Sequence, residues 1–177
     1  MIKFGEKGLG RQWRAVNLLE SGIVQDMHIR RGTEADLPAI RDVITRAYDP
    51  DQVRLGYQPP AATLNAADWV RRRAAWVGEH ASAVVAVLLA EPVDDGYLAV
   101  RMAAVDPAWQ GRGYGRELLE HAEALAGDAG LHEVRVAANV LLQHTISIYE
   151  HCGYHLRTHL PHPLVAEHRM AEMAKAI

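Results

Sequence analysis

Cysteine occurs once, at Cys152, phenylalanine once, at Phe4, and lysine three times, at Lys3, Lys7 and Lys175. A lone cysteine cannot close an intramolecular disulfide, which excludes a disulfide-built scaffold. No uninterrupted apolar run is longer than residues 83–90, far short of the roughly 20 residues a membrane-spanning helix needs, so no membrane partner is expected. Basic charge is scarce too: 19 lysines and arginines face 22 acidic residues, a net charge of −3. A nucleic-acid partner gripped through its phosphates requires a strongly basic face, so none is expected either. No basic stretch followed by an apolar run and a small-residue cleavage site opens the chain, and the expectation is a cytoplasmic protein.

What is present is enough for one packed domain. The chain has 177 residues, 49% of them hydrophobic and 23% charged, which suits a single core and argues against disorder. The composition is uneven at the start, where residues 1–26 hold the only phenylalanine and two of the three lysines. From residue 27 onward, 15 lysines and arginines face 19 acidic residues, so that part carries −4 and the first 26 residues carry +1. The chain is therefore divided into an N-terminal extension, 1–26, and a domain, 27–177. Within the extension Trp13, Val16, Leu19 and Ile23 recur at helical spacing, which predicts a short helix docked on the domain or on a second subunit, so a homodimer is open; the alternative reading is a loosely attached tail.

From Met27 the pattern alternates. Residues 28–31 read as a strand, and Thr33 with Asp36 as the start of a helix carrying Leu37, Ile40, Ile44 and Ala47 on one face. Asp49-Pro50-Asp51 is expected to end that helix, and Gly56 with Pro59-Pro60 marks an irregular stretch before a second helix over 65–74. Residues 76–79 and 83–90 read as neighbouring strands, the second apolar throughout, as a strand covered on both faces would be. Residues 92–96 read as a turn and 97–105 as a strand. Leu118, Leu119, Ala122, Leu125 and Ala126 form a helical stripe closed by Gly130. Then follow a strand over 133–138, a helix over 141–151, and strands near 154–159 and 165–173. The order β-α-α-β-β-β-α-β-α-β-β indicates a mixed α/β fold.

The segment most informative about chemistry lies between the 97–105 strand and the following helix: Gln110-Gly111-Arg112-Gly113-Tyr114-Gly115-Arg116. Three glycines in five residues let a ligand approach the backbone, and the helix start offers its free N–H groups to the same point. With Arg112 and Arg116 beside it, the loop suits an anion, a diphosphate best of all. It is not a nucleoside-triphosphate loop, because no Gly-Lys-Ser/Thr follows. Its Gly-x-Gly-x-Gly spacing, set off from the strand by Asp106-Pro107, also departs from the dinucleotide fingerprint.

The run Gln110 to Gly115 resembles the Arg/Gln-x-x-Gly-x-Gly/Ala motif of the GNAT superfamily of N-acetyltransferases. Tyr149-Glu150-His151-Cys152-Gly153-Tyr154 resembles the same family's Tyr-x-x-x-Gly-Phe signature, and the likeness covers essentially residues 27–177. It implies a GNAT-like acyl-CoA N-acyltransferase fold, with a mostly antiparallel sheet and flanking helices, and acetyl-CoA as co-substrate. It further implies that the backbone amides of Gly111, Arg112, Gly113, Tyr114, Gly115 and Arg116 hold the pyrophosphate, with Gln110 also in the cofactor site. The strand edge at Ala103, Ala104 and Val105 would pair with the pantetheine arm, with Asn139 near that arm. Transfer would proceed by direct attack of a primary amine, small-molecule or peptide, with Tyr149 as general acid.

No general base is assigned. The strand 97–105 has no carboxylate, and Glu91, Asp94, Asp95, Glu133 and His144 each suit a solvated surface group equally well. That gap leaves a non-catalytic acyl-CoA-binding module as the alternative. The acceptor is expected against residues 48–68 and 91–96, where Asp49, Asp51 and Asp68 could attract an amine. His151, His155, His159 and His162 are expected on the surface rather than around a metal, since Gly153 and Pro161 break any helix that would align them. Cys152 is expected as a small apolar side chain.

Overall fold

The computed structural model describes residues 27–93 and 96–177. The helix expected across Trp13 to Ile23 lies outside the described residues, as do Asp94 and Asp95. The described chain forms strands β1 (His28–Arg31), β2 (Ala75–His80), β3 (Ala83–Val93), β4 (Tyr97–Val105), β5 (Glu133–Asn139), β6 (His155–Pro161) and β7 (Arg169–Ala176). Helices α1 (Leu37–Leu55), α2 (Ala66–Arg71), α3 (Tyr114–Asp128) and α4 (Gln143–His151) connect them, so the element order is the one read from the sequence.

Two boundaries differ in a way that matters. The helix α1 does not stop at Asp49-Pro50-Asp51; it runs through Pro50 to Leu55 and ends at Gly56, whose φ of +76° suits a left-handed helix cap. Proline removes one helical N–H, but Pro50 is exposed and water can take the carbonyl left over. The extra turn carries Asp51 and Leu55. Likewise β3 continues through Pro92 to Val93, where the sequence suggested a turn, and Pro92 pairs opposite Leu98. The helix α2 is shorter than expected, capped by Asn65, whose side chain accepts from Ala67 N at 3.1 Å.

The seven strands form one sheet in the order β1-β2-β3-β4-β5-β7-β6. Every neighbouring pair is antiparallel except β4 and β5, which run parallel. A shift in the β3–β4 register, Leu89 opposite Met102 but Ala90 opposite Val100, leaves Arg101 as an extra residue in β4. Such a bulge reverses which face each later side chain takes. Leu98 and Val100 before it share a core with α3, whereas Met102 and Ala104 after it join the core under α1 and α2.

Each face of the sheet thus has its own apolar layer. On one side Leu118, Leu119 and Ala122 pack on Leu88, Val100 and Val134; on the other Ile40, Val43 and Trp69 pack on Val87, Leu89 and Met102. Leu88 and Leu89, adjacent in sequence, are both completely buried because β3 is covered on both faces. Leu88→Ala and Leu89→Ala should each therefore cost about 2–5 kcal/mol in urea denaturation. A loss confined to one of the two would mean that one face of β3 is open.

Candidate active site

The parallel pairing of β4 with β5 runs from Tyr97 opposite Glu133 to Val100 opposite Val136 and then stops. Beyond that point the strands part, and a cavity of about 780 Å³ opens between residues 101–105 of β4 and Ala137, Ala138 and Asn139 of β5. Its volume lies in the range of small-molecule sites. Alternate residues of an antiparallel strand turn N–H and C=O to the same side. Val105 O accepts from Gln110 Nε2 at 3.0 Å rather than from β3, so Val105 and Ala103 present their backbone groups toward the cleft. There β5 no longer meets them.

One end of the cleft is formed by the glycine loop. Asp106, 8% exposed, holds its base: the carboxylate accepts from Ala108 N at 3.0 Å and from Arg46 Nε of α1 at 2.8 Å. Gly111 and Gly113 have φ of +75° and +91°, so glycine is required at both for conformational reasons. The first backbone bond of α3 is Glu117 N to Gly113 O at 3.1 Å. The amides of Gly115 and Arg116 thus precede the first donor of the helical ladder, at its positive end. Gly115 lines the cavity, and a Cβ there would meet no protein atom within 4 Å.

The loop side chains divide. Gln110 ties the loop to β4, Arg116 lines the cavity, and the Arg112 guanidinium lies 4.6 Å from the centre of the Trp109 ring. Tyr114 is buried, with its hydroxyl 2.8 Å from His80 Nδ1, so its ring anchors α3 in the core while the residue lines the cleft.

Tyr149 of α4 reaches the same cavity. Burial first, then the neighbouring Cys152 and Asp51 charges, push its phenol up to about 12. Burial, Tyr149 and Asp51 likewise raise the phenol of Tyr48, on α1. Of the three carboxylates expected to attract an amine, Asp51 is half-buried and lines the cavity, Asp49 is exposed, and Asp68 pairs with Arg71. The sequence had offered Asp51 only as one of three equal candidates, because it placed the helix end before it. Among the suggested bases, Glu91 is paired with Arg72 and Arg101, and Glu133 with Arg135. His144 lines the cavity, with its Nδ1 3.0 Å from Arg54 Nη1. Cys152 is half-buried, packed on the core and lining the cavity.

A polar network beside Asn139 had no local sequence signal, since its members lie far apart in the chain. Asn139 Oδ1 accepts from Leu141 N at 2.9 Å, which orients its amide so that Nδ2 donates to Tyr57 Oη at 2.7 Å. Tyr57 Oη lies 2.7 Å from His168 Nδ1 and 3.3 Å from His162 Nε2. His162 Nδ1 accepts from Leu164 N and Val165 N at 3.2 and 3.0 Å, so its proton is on Nε2 and points to Tyr57. Tyr57 then donates to His168. The expectation of surface histidines holds for His151, His155 and His159 but not for His162, which is 5% exposed. Its partners satisfy both ring nitrogens, which is what makes its burial tolerable.

Residues 71–156 match the model of the acetyltransferase (GNAT) domain. No curated protein matches the whole sequence at a significant level. Among solved structures, the ribosomal-protein-S18-alanine N-acetyltransferase from Escherichia coli superposes with a TM-score of 0.67 at 19% identity, over 86% of this chain and 94% of that one. An IAA acetyltransferase from Bacillus cereus gives 0.62 at 19%, over 86% and 100%. The PaiA N-acetyltransferase from Thermoplasma acidophilum, in complex with coenzyme A, gives 0.66 at 13%, over 86% and 100%. At these identities the likeness is one of fold.

The network makes two predictions. Tyr57→Phe leaves the Asn139 amide and the His168 ring nitrogen without their shared partner and should cost about 1–3 kcal/mol in urea denaturation. Burial and the neighbouring His168 hold the pKa of His162 below the usual 6.5. The unfolded chain therefore takes up the proton first on acidification, so this contribution is complete above about pH 6.5 and declines below it. Unfolding measured from about pH 7.5 down to about pH 5 should show that decline, and His162→Gln should flatten it. Equal slopes would assign the effect elsewhere.

Proposed function

We propose that this chain, whose residues 71–156 match the acetyltransferase (GNAT) domain, transfers the acetyl group of acetyl-CoA to a primary amine by direct attack, with Tyr149 as the general acid. It is an acyltransferase, with acetyl-CoA as its co-substrate. The observation that carries the reading is the parting of β4 and β5 beside a glycine loop that lines the same cleft. The alternative of a non-catalytic acyl-CoA-binding module is not favoured, because the matching family is one of acetyltransferases.

Acetyl-CoA supplies an activated acyl carbon and a thiolate leaving group. The residues present fit it. The backbone of residues 111–116, with Arg116, receives the diphosphate at the positive end of α3. Ala103 and Val105 offer β4 backbone groups to the pantetheine amides, which take the place of a neighbouring strand. A backbone N–H of residues 103–105 polarises the thioester carbonyl. Asn139, held by Tyr57, closes the β5 side of the arm.

In the transfer the amine nitrogen bonds to the acyl carbon, the carbon–sulfur bond breaks, and the phenol of Tyr149 protonates the departing sulfur. A proton released by the amine restores the phenol. With its phenol pushed up by burial, Tyr149 is protonated throughout the neutral range. The amine sheds its other proton to water, with no single side chain assigned as base. We take residues 27–177 as the catalytic unit, residues 1–26 as an extension, and the cytoplasm as the compartment. Among the described residues no helix is long and apolar enough to cross a membrane.

Calorimetry with acetyl-CoA, together with a thiol-release assay over an amine panel, tests the whole reading. Tyr149→Phe should lower kcat by about a hundredfold or more while the Kd for acetyl-CoA stays unchanged. Full turnover in that variant would remove Tyr149 as the acid.

A further inference from the structure

One wall of the cleft is built by α1 and the connection that follows it. We infer that this wall selects a small primary amine with an apolar alkyl or arylalkyl body and a single positive charge, received by Asp51 between Tyr48 and Tyr149. The inference rests on the acetyl-transfer reading above and names its acceptor.

Apart from Asp51 and the hydroxyl of Tyr48, the wall is apolar. Ala47, Leu55, Pro59, Pro60 and Ala61 line it, and Asp51 is the sole carboxylate among the described residues lining the cavity. Most other polar side chains near this end are already engaged within the protein. Tyr57, Asn139, His162 and His168 bond to one another, His144 takes Arg54, and Arg101 is held by Glu91. Asp51 has no hydrogen bond or ion pair among the described residues, yet it is half-buried and its charge reaches both phenols.

A carboxylate in such a place is complementary to one ammonium group, which it would hold beside the hydroxyl of Tyr149. Polyamines would bring further charges to apolar surface with no carboxylate to meet them. Amino acids and acidic peptides would bring a carboxylate to a cavity in which Arg101 is engaged by Glu91 and the other lining arginine, Arg116, belongs to the glycine loop. In a cavity of about 780 Å³ that must also hold the pantetheine arm, the acceptor is small.

The test compares kcat/KM, by thiol release from acetyl-CoA, for 2-phenylethylamine and isopentylamine against spermidine, lysine and a short peptide with a free N-terminal alanine. The apolar monoamines should lead by about tenfold or more, and Asp51→Asn should raise their KM by about tenfold or more, through loss of a charged hydrogen bond. Asp51→Glu should recover most of that loss. The Kd for acetyl-CoA, measured by calorimetry on each variant, should not move, which separates amine recognition from misfolding. Spermidine, lysine or the peptide as the best acceptor would overturn the assignment and leave acetyl transfer standing, as would an unchanged KM in Asp51→Asn. Acetyl-CoA bound without release by any amine, or not bound at all, would overturn both.

Discussion

Everything in the site depends on two parallel strands that stop pairing. The strands β4 and β5 share four registered positions and then diverge, which leaves the later backbone groups of β4 facing a cleft instead of a neighbour. Buried backbone donors and acceptors are costly unless they find partners. A ligand with amides along its length is a natural substitute for the missing strand, and the same geometry gives it direction, because the cleft ends at the start of α3. The bulge at Arg101 adds to this arrangement: it turns Met102 and Ala104 into the α1 and α2 core. Ala103 is left beside the α3 core and along the cavity wall.

Net charge misdescribes such a site. The chain carries −3, but the groups that would meet a diphosphate are backbone dipoles and one lining arginine, Arg116. Arg112 is laid across Trp109 instead. The loop that presents the amides is held by bonds that are not part of the ligand surface: Gln110 to Val105, Asp106 to Ala108 and Arg46, and Tyr114 to His80. Together these tie β4, α1, β2 and α3 to one turn. Preorganisation of this kind lowers the cost of ordering the loop when a ligand arrives.

The wall built by α1 and the connection after it follows a different logic. There Tyr57 collects Asn139 from the end of β5 and both His162 and His168 from the connection between β6 and β7, so this wall is braced to those two segments. Polar groups that bond to each other present little to a substrate. What remains of the wall from α1 is the Asp51 carboxylate, the hydroxyl of Tyr48 and apolar surface.

The element order, the two-sided burial of β3, the glycine loop and the tyrosine signature were legible in the sequence because each rests on local periodicity, turn chemistry or a short motif. The end of α1 was misread for the same reason: Asp49-Pro50-Asp51 is a strong local stop signal, and only the solvent-exposed setting of Pro50 allows the helix to continue to Leu55. The burial of His162 and the gathering of Tyr57 with Asn139 could not be read locally, since hydrogen-bond partners far apart in the chain leave no spacing to detect. By itself the sequence determined the kind of backbone and the loop that can hold a diphosphate. Which carboxylate lines the cleft, which arginine of the loop lines it and which histidines are buried were decided only when the strands parted and the segments between them packed, because those are properties of long-range contacts.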